Sequence, residues 1–210
     1  LPDTSPDDAQ LAESCLFWGN VVLAGGGDGQ GNTLQVSPSL SAPTQGFLQL
    51  GHVKHTPDDD GLSRQGFLYE SYQDALAPSF AIALLNVYKH SLDYLLTDNS
   101  LTDLDRSSEF LDEPHRFDQN NPLLINWPGL TRPEDNRKSP QGLTTLSFAD
   151  VLTNDELIDR LQNKNVLVGY TATGIVGTAE DPIRTPFDQK IPTSGVYLHA
   201  AIIDNLLNDR

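Results

Sequence analysis

The chain has 210 residues, of which 38% are hydrophobic and 20% charged. That length suits one large domain, and that apolar share supports a real core, which excludes wholesale disorder. Thirteen Lys and Arg against 29 Asp and Glu leave a net charge of −16, which repels phosphate backbones and anionic headgroups and so argues against nucleic acid or a lipid surface as partner.

The chain lacks Met even at position 1, and so reads as a fragment of something longer. It opens with no secretory leader, and no apolar run approaches the ~18 residues that cross a bilayer. Residues 1–8, with Pro2 and Pro6, read as a loose end. Residues 9–17 have the spacing of a short helix with one apolar face. That helix carries the single Cys15, which has no partner for an internal disulfide and reads as a small buried hydrophobe. Residues 20–24 (NVVLA) are short and β-branched, as in a buried strand.

The glycine run from Gly25 to Gly31 invites a phosphate-loop reading and fails it. A dinucleotide loop needs Gly at i, i+2 and i+5, and no window here fits. There is no Gly-Lys-Ser/Thr, and Pro38 and Pro43 oppose a following helix. Asp28 has no partner ligands at calcium-loop spacing. The run reads as a mobile loop.

Residues 47–54 and 62–70 alternate like two strands around Pro57-Asp58-Asp59-Asp60-Gly61, which predicts an antiparallel hairpin with an acidic tip. Residues 78–96 begin with Pro and are apolar on nearly every side for two turns, which predicts a long helix buried against a sheet. Residues 97–121 are acidic and irregular and read as an exposed insertion. Residues 123–126 read as a second buried strand, stopped by Trp127-Pro128-Gly129, and residues 131–142 as loop. Capping boxes at Ser147 and Thr153 each predict a short helix. Residues 166–170 (VLVGY) read as a third buried strand and 171–194 as a long loop. Residues 195–207 form a helix with Val196, His199, Ala200, Ile203, Leu206 and Leu207 on one side. Continuous apolar strands with interleaved helices predict an α/β fold: a central sheet of mostly parallel buried strands, an antiparallel hairpin, and helices packed on the sheet.

The pieces PDDDGLSR (57–64), SFAIALL (79–85), LLINWPG (123–129), SFADVL (147–152), NKNVLVGYTATG (163–174), TPF (185–187) and GVYLHAAIIDNLL (195–207) stand in an order and spacing that resemble the CHASE2 domain. The resemblance covers roughly residues 45–207, with a lead-in at 7–24. It implies an extracytoplasmic sensory module of a bacterial transmembrane receptor, with the last helix leading to transmembrane helices. It further implies a cyclase, histidine kinase or serine/threonine kinase output outside this chain, and a receptor able to form a homodimer. Residues 1–210 then form one sensor domain. Family members carry sheet and helix before the position matching Asp7, so the domain is expected to lack its N-terminal part. The insertion at 97–121 matches no family motif.

Candidate site residues are few. Asp58 and Asp60, two apart in an extended segment, could face one ligand or cation, but Thr56 breaks the calcium-loop pattern and the leading reading is a capped hairpin tip. Arg64 is placed to pair with either carboxylate. His52 and His55, three apart on a strand, face opposite sides and make a poor metal pair. His199 falls on the apolar side of the last helix, as a buried imidazole or a ligand contact. Strand carboxyl ends are where α/β sheets place ligands. If the strands ending at Asn126 and Tyr170 are parallel, Asn126, Trp127, Thr171 and Thr173 line one small pocket with amide, indole and hydroxyl donors. Otherwise Trp127 plugs the core edge and Asn126 ties down a loop. No His-Glu-x-x-His motif, Cys pair or nucleophile elbow occurs, so no catalytic residue, metal or cofactor is nominated. The leading expectation is a non-catalytic sensor of an unknown small-molecule or environmental signal. The rival readings are an extracytoplasmic hydrolase and a structural or adhesive ectodomain.

Overall fold

The computed structural model describes residues 6–27, 34–40, 49–72, 75–95, 122–127, 143–170, 183–187 and 193–208. The chain divides into two units, one of residues 1–56, 65–124 and 202–210, the other of residues 57–64 and 125–201.

In the first unit the chain opens with helix α1 (Pro6–Trp18), three residues earlier than its apolar spacing suggests. Pro6 suits a first helical position because its missing N–H is one the helix leaves unpaired anyway. Ala12 and Cys15 are its buried residues, and burial pushes the Cys15 thiol up. Strand β1 (Val22–Gly27) follows. It starts at Val22, two residues later than the run predicts, and extends through Gly25, Gly26 and Gly27, which pair instead of looping: Gly26 and Gly27 face Gln35 and Leu34 of antiparallel β2 (Leu34–Gln35). The rest of the predicted glycine loop lies outside the described residues.

Strand β3 (Gln49–His52) runs parallel to β1, with Val22 opposite Gln49 and Gly25 opposite His52. Strands β5 (Tyr69–Tyr72) and β6 (Ala75–Pro78) form an antiparallel hairpin, and a parallel bridge from His52 to Ser79 joins β3 to the end of β6. Strand β4 (Gln65–Gly66) pairs antiparallel with β7 (Leu123–Leu124). Two expectations are corrected here. The predicted hairpin of 47–54 with 62–70 does not form, because β3 takes β1 as partner and the second segment splits between β7 and β6. Nor is there a central, mostly parallel sheet among the described residues: parallel pairing is confined to β1 with β3 and the single His52–Ser79 bridge, and the other ladders are antiparallel.

Helix α2 (Phe80–Leu95) packs on β1, β3 and β6, as its sequence predicts. Pro78 closes β6 rather than starting the helix. Ser79 is the cap, its hydroxyl accepting from the Ile82 amide at 3.3 Å. Ala81, Ile82, Ala83, Leu85 and Val87 are buried. The small residues let helix and strand approach closely, and Gly51 of β3 lies directly against the backbone at Phe80.

The second unit holds α3 (Phe148–Thr153), α4 (Asp155–Asp159) and the start of α5 (Gly195–Asn208). Both capping boxes produce helices, with changed details. Ser147 flanks α3 without a side-chain cap bond, and the cap of α4 is Asn154, one residue after the predicted Thr153, accepting from the Glu156 amide at 3.0 Å. Thr153 instead bonds back to Ala149 and Asp150 carbonyls. Asn154→Ala is expected to cost about 1 kcal/mol locally. Amide exchange at Glu156 reads it directly, because that N–H loses its acceptor.

The predicted third strand is not one. Residues 166–170 join no ladder among the described residues, and Val168 and Tyr170 are 75% and 83% exposed. The segment is tied instead at the start of α5 by two contacts. The Ser194 hydroxyl donates to the Tyr170 carbonyl, and Gly169 lies against Val196. In α5 itself Leu198 to Ile203, Asn205 and Leu206 are all buried, a wider face than the predicted stripe, while Leu207 is exposed. Ile125 is buried but Leu124 of β7 is exposed, so that strand is not covered on both faces.

Candidate functional site

The acidic turn folds as its residue types dictate. Gly61 takes φ +77°, a region open to glycine, and its N–H donates to the Asp58 carbonyl at 2.7 Å. The Asp58 N–H donates to the Leu62 carbonyl at 2.9 Å, and Asp60 Oδ1 accepts from the Leu62 amide at 3.1 Å. Arg64 folds back over the turn. Its Nη1 reaches Asp58 Oδ2 at 2.7 Å, and its two nitrogens take Asp60 Oδ1 and Oδ2 at 3.0 and 2.7 Å. The guanidinium beside Asp60 holds that carboxyl below the usual carboxylate range, and the two carboxylates raise Arg64. Asp58, Asp60 and Arg64 are therefore brought together, but as a clamp in which two carboxylates share one internal guanidinium. Asp59 stands exposed outside it.

The backbone after the clamp ties three distant segments into one frame. The Ser63 N–H donates to the Arg184 carbonyl at 2.7 Å and the Ile125 N–H to the Arg64 carbonyl at 2.8 Å. The Trp127 indole N–H donates to the Ser63 carbonyl at 2.6 Å. Ser63, Trp127, Ile183 and Thr185 are buried, and Ile183 bridges Thr193 antiparallel. Trp127 thus spends its donor inside the frame, while Asn126 beside it is exposed. Thr171 and Thr173 lie outside the described residues. The strand geometry that would align them with Asn126 does not occur, since β7 is antiparallel to its partner and 166–170 is not a strand.

In the first unit a second polar cluster surrounds His52. The imidazole is 1% exposed, and neither ring nitrogen has a hydrogen-bond partner among the described residues. Burial lowers its pKa from 6.5 to about 4, with Glu70 pulling it up and Lys54 pushing it down. Glu70, on β5, is 4% exposed and ion-paired with Lys54. Glu70 and Lys54 were not nominated from sequence; the one available signal is period-two alternation, which puts Glu70 on the same side as buried Leu68 and Tyr72. His55 lies outside β3 and half-exposed. His199 is buried in α5, as expected.

Linkage gives the His52 shift a sign. Its folded-state pKa lies below its unfolded value, so the unfolded chain takes up the proton first. The chain is most stable, in this respect, above pH 6.5, and loses that advantage as pH falls toward about 4. A shift from 6.5 to about 4 corresponds to roughly 3 kcal/mol. Urea unfolding followed from neutral to acid pH is expected to show this slope in the wild type and its loss in His52→Leu.

The sequence model of the CHASE2 domain matches residues 2–210. The chain belongs to the CHASE2 family. Comparison with curated proteins and with solved structures gave no match in either case. CHASE2 domains are extracytoplasmic sensory domains rather than catalytic ones. Among the described residues no helix is long and apolar enough to cross a membrane. The structure also explains part of the CHASE2 motif set. The pieces at 57–64, 123–129 and 185–187 are far apart in sequence, yet residues from or next to each meet in the Ser63–Trp127–Arg184 frame. At those positions the motif carries packing and backbone pairing.

Proposed function

We propose that this CHASE2 domain receives a stimulus outside the cytoplasmic membrane on behalf of a bacterial transmembrane receptor, and passes it on without catalysing a reaction. Residues 1–210 act as one sensor module, the receptor works as a homodimer, and its output is a cyclase or a kinase carried elsewhere in the protein.

The observation that carries this reading is α5. It contributes residues to both units, and it is buried almost continuously from Leu198 to Leu206. A helix gripped along its length cannot shift without repacking its surroundings, so a stimulus that favours one packing moves the whole helix. Such a stimulus must bind the two arrangements with different affinity; binding alone transmits nothing. Asn126, exposed where β7 ends, is the candidate donor to a small polar ligand.

The test uses the intact receptor. Asn205, a 2% exposed polar residue on α5, is replaced by Leu, and the output activity is measured with and without the ectodomain. Asn205→Leu is expected to change basal output about 5-fold or more, in the range of ordinary coupling energies, and deletion of the ectodomain to abolish any response. An output indifferent to both changes, or a gene encoding neither transmembrane segment nor output domain, refutes the reading.

A further inference from the structure

Ladder partners project from the same face of a sheet, and residues two apart on a strand share that face. His52 bridges Ser79, Ala77 is two residues before Ser79, and Glu70 pairs with Ala77. His52 and Glu70 therefore point to one side of the β3–β6–β5 layer, and Lys54 reaches the same carboxylate. The three side chains differ in their freedom. His52 and Glu70 are almost wholly buried, whereas the Lys54 side chain is 48% exposed on a long flexible stem. Lys54 can leave for water at little cost, and the carboxylate cannot follow it.

We propose that His52, Lys54 and Glu70 form an acid-triggered partner exchange, in which a proton taken up by His52 draws the Glu70 carboxylate to the imidazolium and releases the Lys54 ammonium into solvent. In the neutral arrangement Glu70 and Lys54 cancel and His52 is uncharged. A proton on His52 would leave a buried excess of positive charge, and expelling Lys54 restores the balance. The step moves one proton from water to an imidazole nitrogen and breaks no covalent bond. The surroundings leave few competitors. Among the described residues the charged groups acting on His52 are Glu70 and Lys54. Residues 22–27 of β1 and 75–78 of β6 contain no titratable side chain, β5 adds Tyr69 and Tyr72, and the described side chains of α2 add only Tyr88. The neutral state of the imidazole at pH 7, imposed by burial, leaves the site poised for this proton. The exchange is a property of the folded chain and does not depend on the receptor reading above. Its trigger is acid.

The experiment is an NMR titration of the full chain from about pH 7.5 to about pH 3.5, reading the His52 ring and the Lys54 terminal methylene together. The two signals are expected to move with one shared midpoint while the chain stays folded. The Lys54 step disappears in His52→Leu. Lys54→Met, altered at a half-exposed position, raises the His52 midpoint, and Glu70→Gln lowers it. A Lys54 signal that stays in place while His52 titrates overturns the exchange. So does a His52 that gains its proton only as the chain unfolds, or a His52 midpoint unmoved by Lys54→Met should His52→Leu fail to fold.

Discussion

Gly51→Ala is expected to destabilise the chain by about 3 kcal/mol or more, although it adds a single methyl group. A Cβ at Gly51 would lie 2.3 Å from the Phe80 Cα, 2.6 Å from the Phe80 N and 2.9 Å from the Ser79 carbonyl carbon. All three are backbone atoms at the start of α2, so no side chain can rotate away. Relief requires β3 and α2 to separate, which loosens the packing of Ala81, Ile82 and Leu85 and strains the His52–Ser79 bridge. Gly26 is the control. A Cβ there meets nothing within 4 Å, and its φ is not in the left-handed region. Gly26→Ala should therefore stabilise by about 0.4–1 kcal/mol through the unfolded chain. Urea midpoints that move equally for the two variants would show that the close approach is not what holds Gly51.

Gly51 also marks where sequence reading stops. Alternation over 47–54 identifies extended backbone, but a period of two carries no information about which strand lies alongside. Tight turn chemistry at Pro57–Gly61 suggested the adjacent segment as partner. The turn does form, yet it closes on Leu62 and hands Ser63 and Arg64 to distant segments, leaving β3 free to pair with β1. The absence of a side chain at 51, which permits α2 to sit on β3, is visible only once the helix is in place. By contrast α2 and α5 were legible nearly to the residue, because a long amphipathic or wholly apolar run at helical spacing needs no partner to be recognised. The run at 166–170 shows the opposite limit. Five apolar-rich residues fit a buried strand as well as an unpaired segment beside the start of a helix, and the Ser194 bond that ties this one down spans 24 positions.

The site was legible where its chemistry is local. Asp58, Asp60, Gly61 and Arg64 lie within seven residues of one another, and the turn, its cap and its ion pair were all readable. The His52 cluster was not, because Lys54 and Glu70 meet across 16 positions and a Glu between Tyr69 and Ser71 carries no motif. Evaluated as a metal ligand beside His55, His52 looked unpromising. Its interest lies in what buries it.

Trp127→Ala is expected to cost about 3–5 kcal/mol, the usual range for removing a large buried aromatic. The ring is 4% exposed and its N–H donates to the Ser63 carbonyl at 2.6 Å, so truncation opens a cavity and breaks the tie between 125–127 and the acidic turn. Trp127→Phe separates the two contributions. It keeps most of the ring volume and removes the donor, for an expected cost of about 1–2 kcal/mol. The same pair of variants discriminates between roles. If Trp127 belongs to the frame, loss of stability in the two variants tracks loss of the Ser63 tie, and amide exchange rises at Ser63 and Ile125, whose N–H groups bond Arg184 and Arg64. If instead the indole serves a ligand, Trp127→Phe leaves urea stability and exchange unchanged and abolishes the receptor's response. The buried donor already engaged with backbone favours the first outcome: a group that ties 125–127 to the acidic turn is poorly suited to releasing its partner each time a ligand arrives.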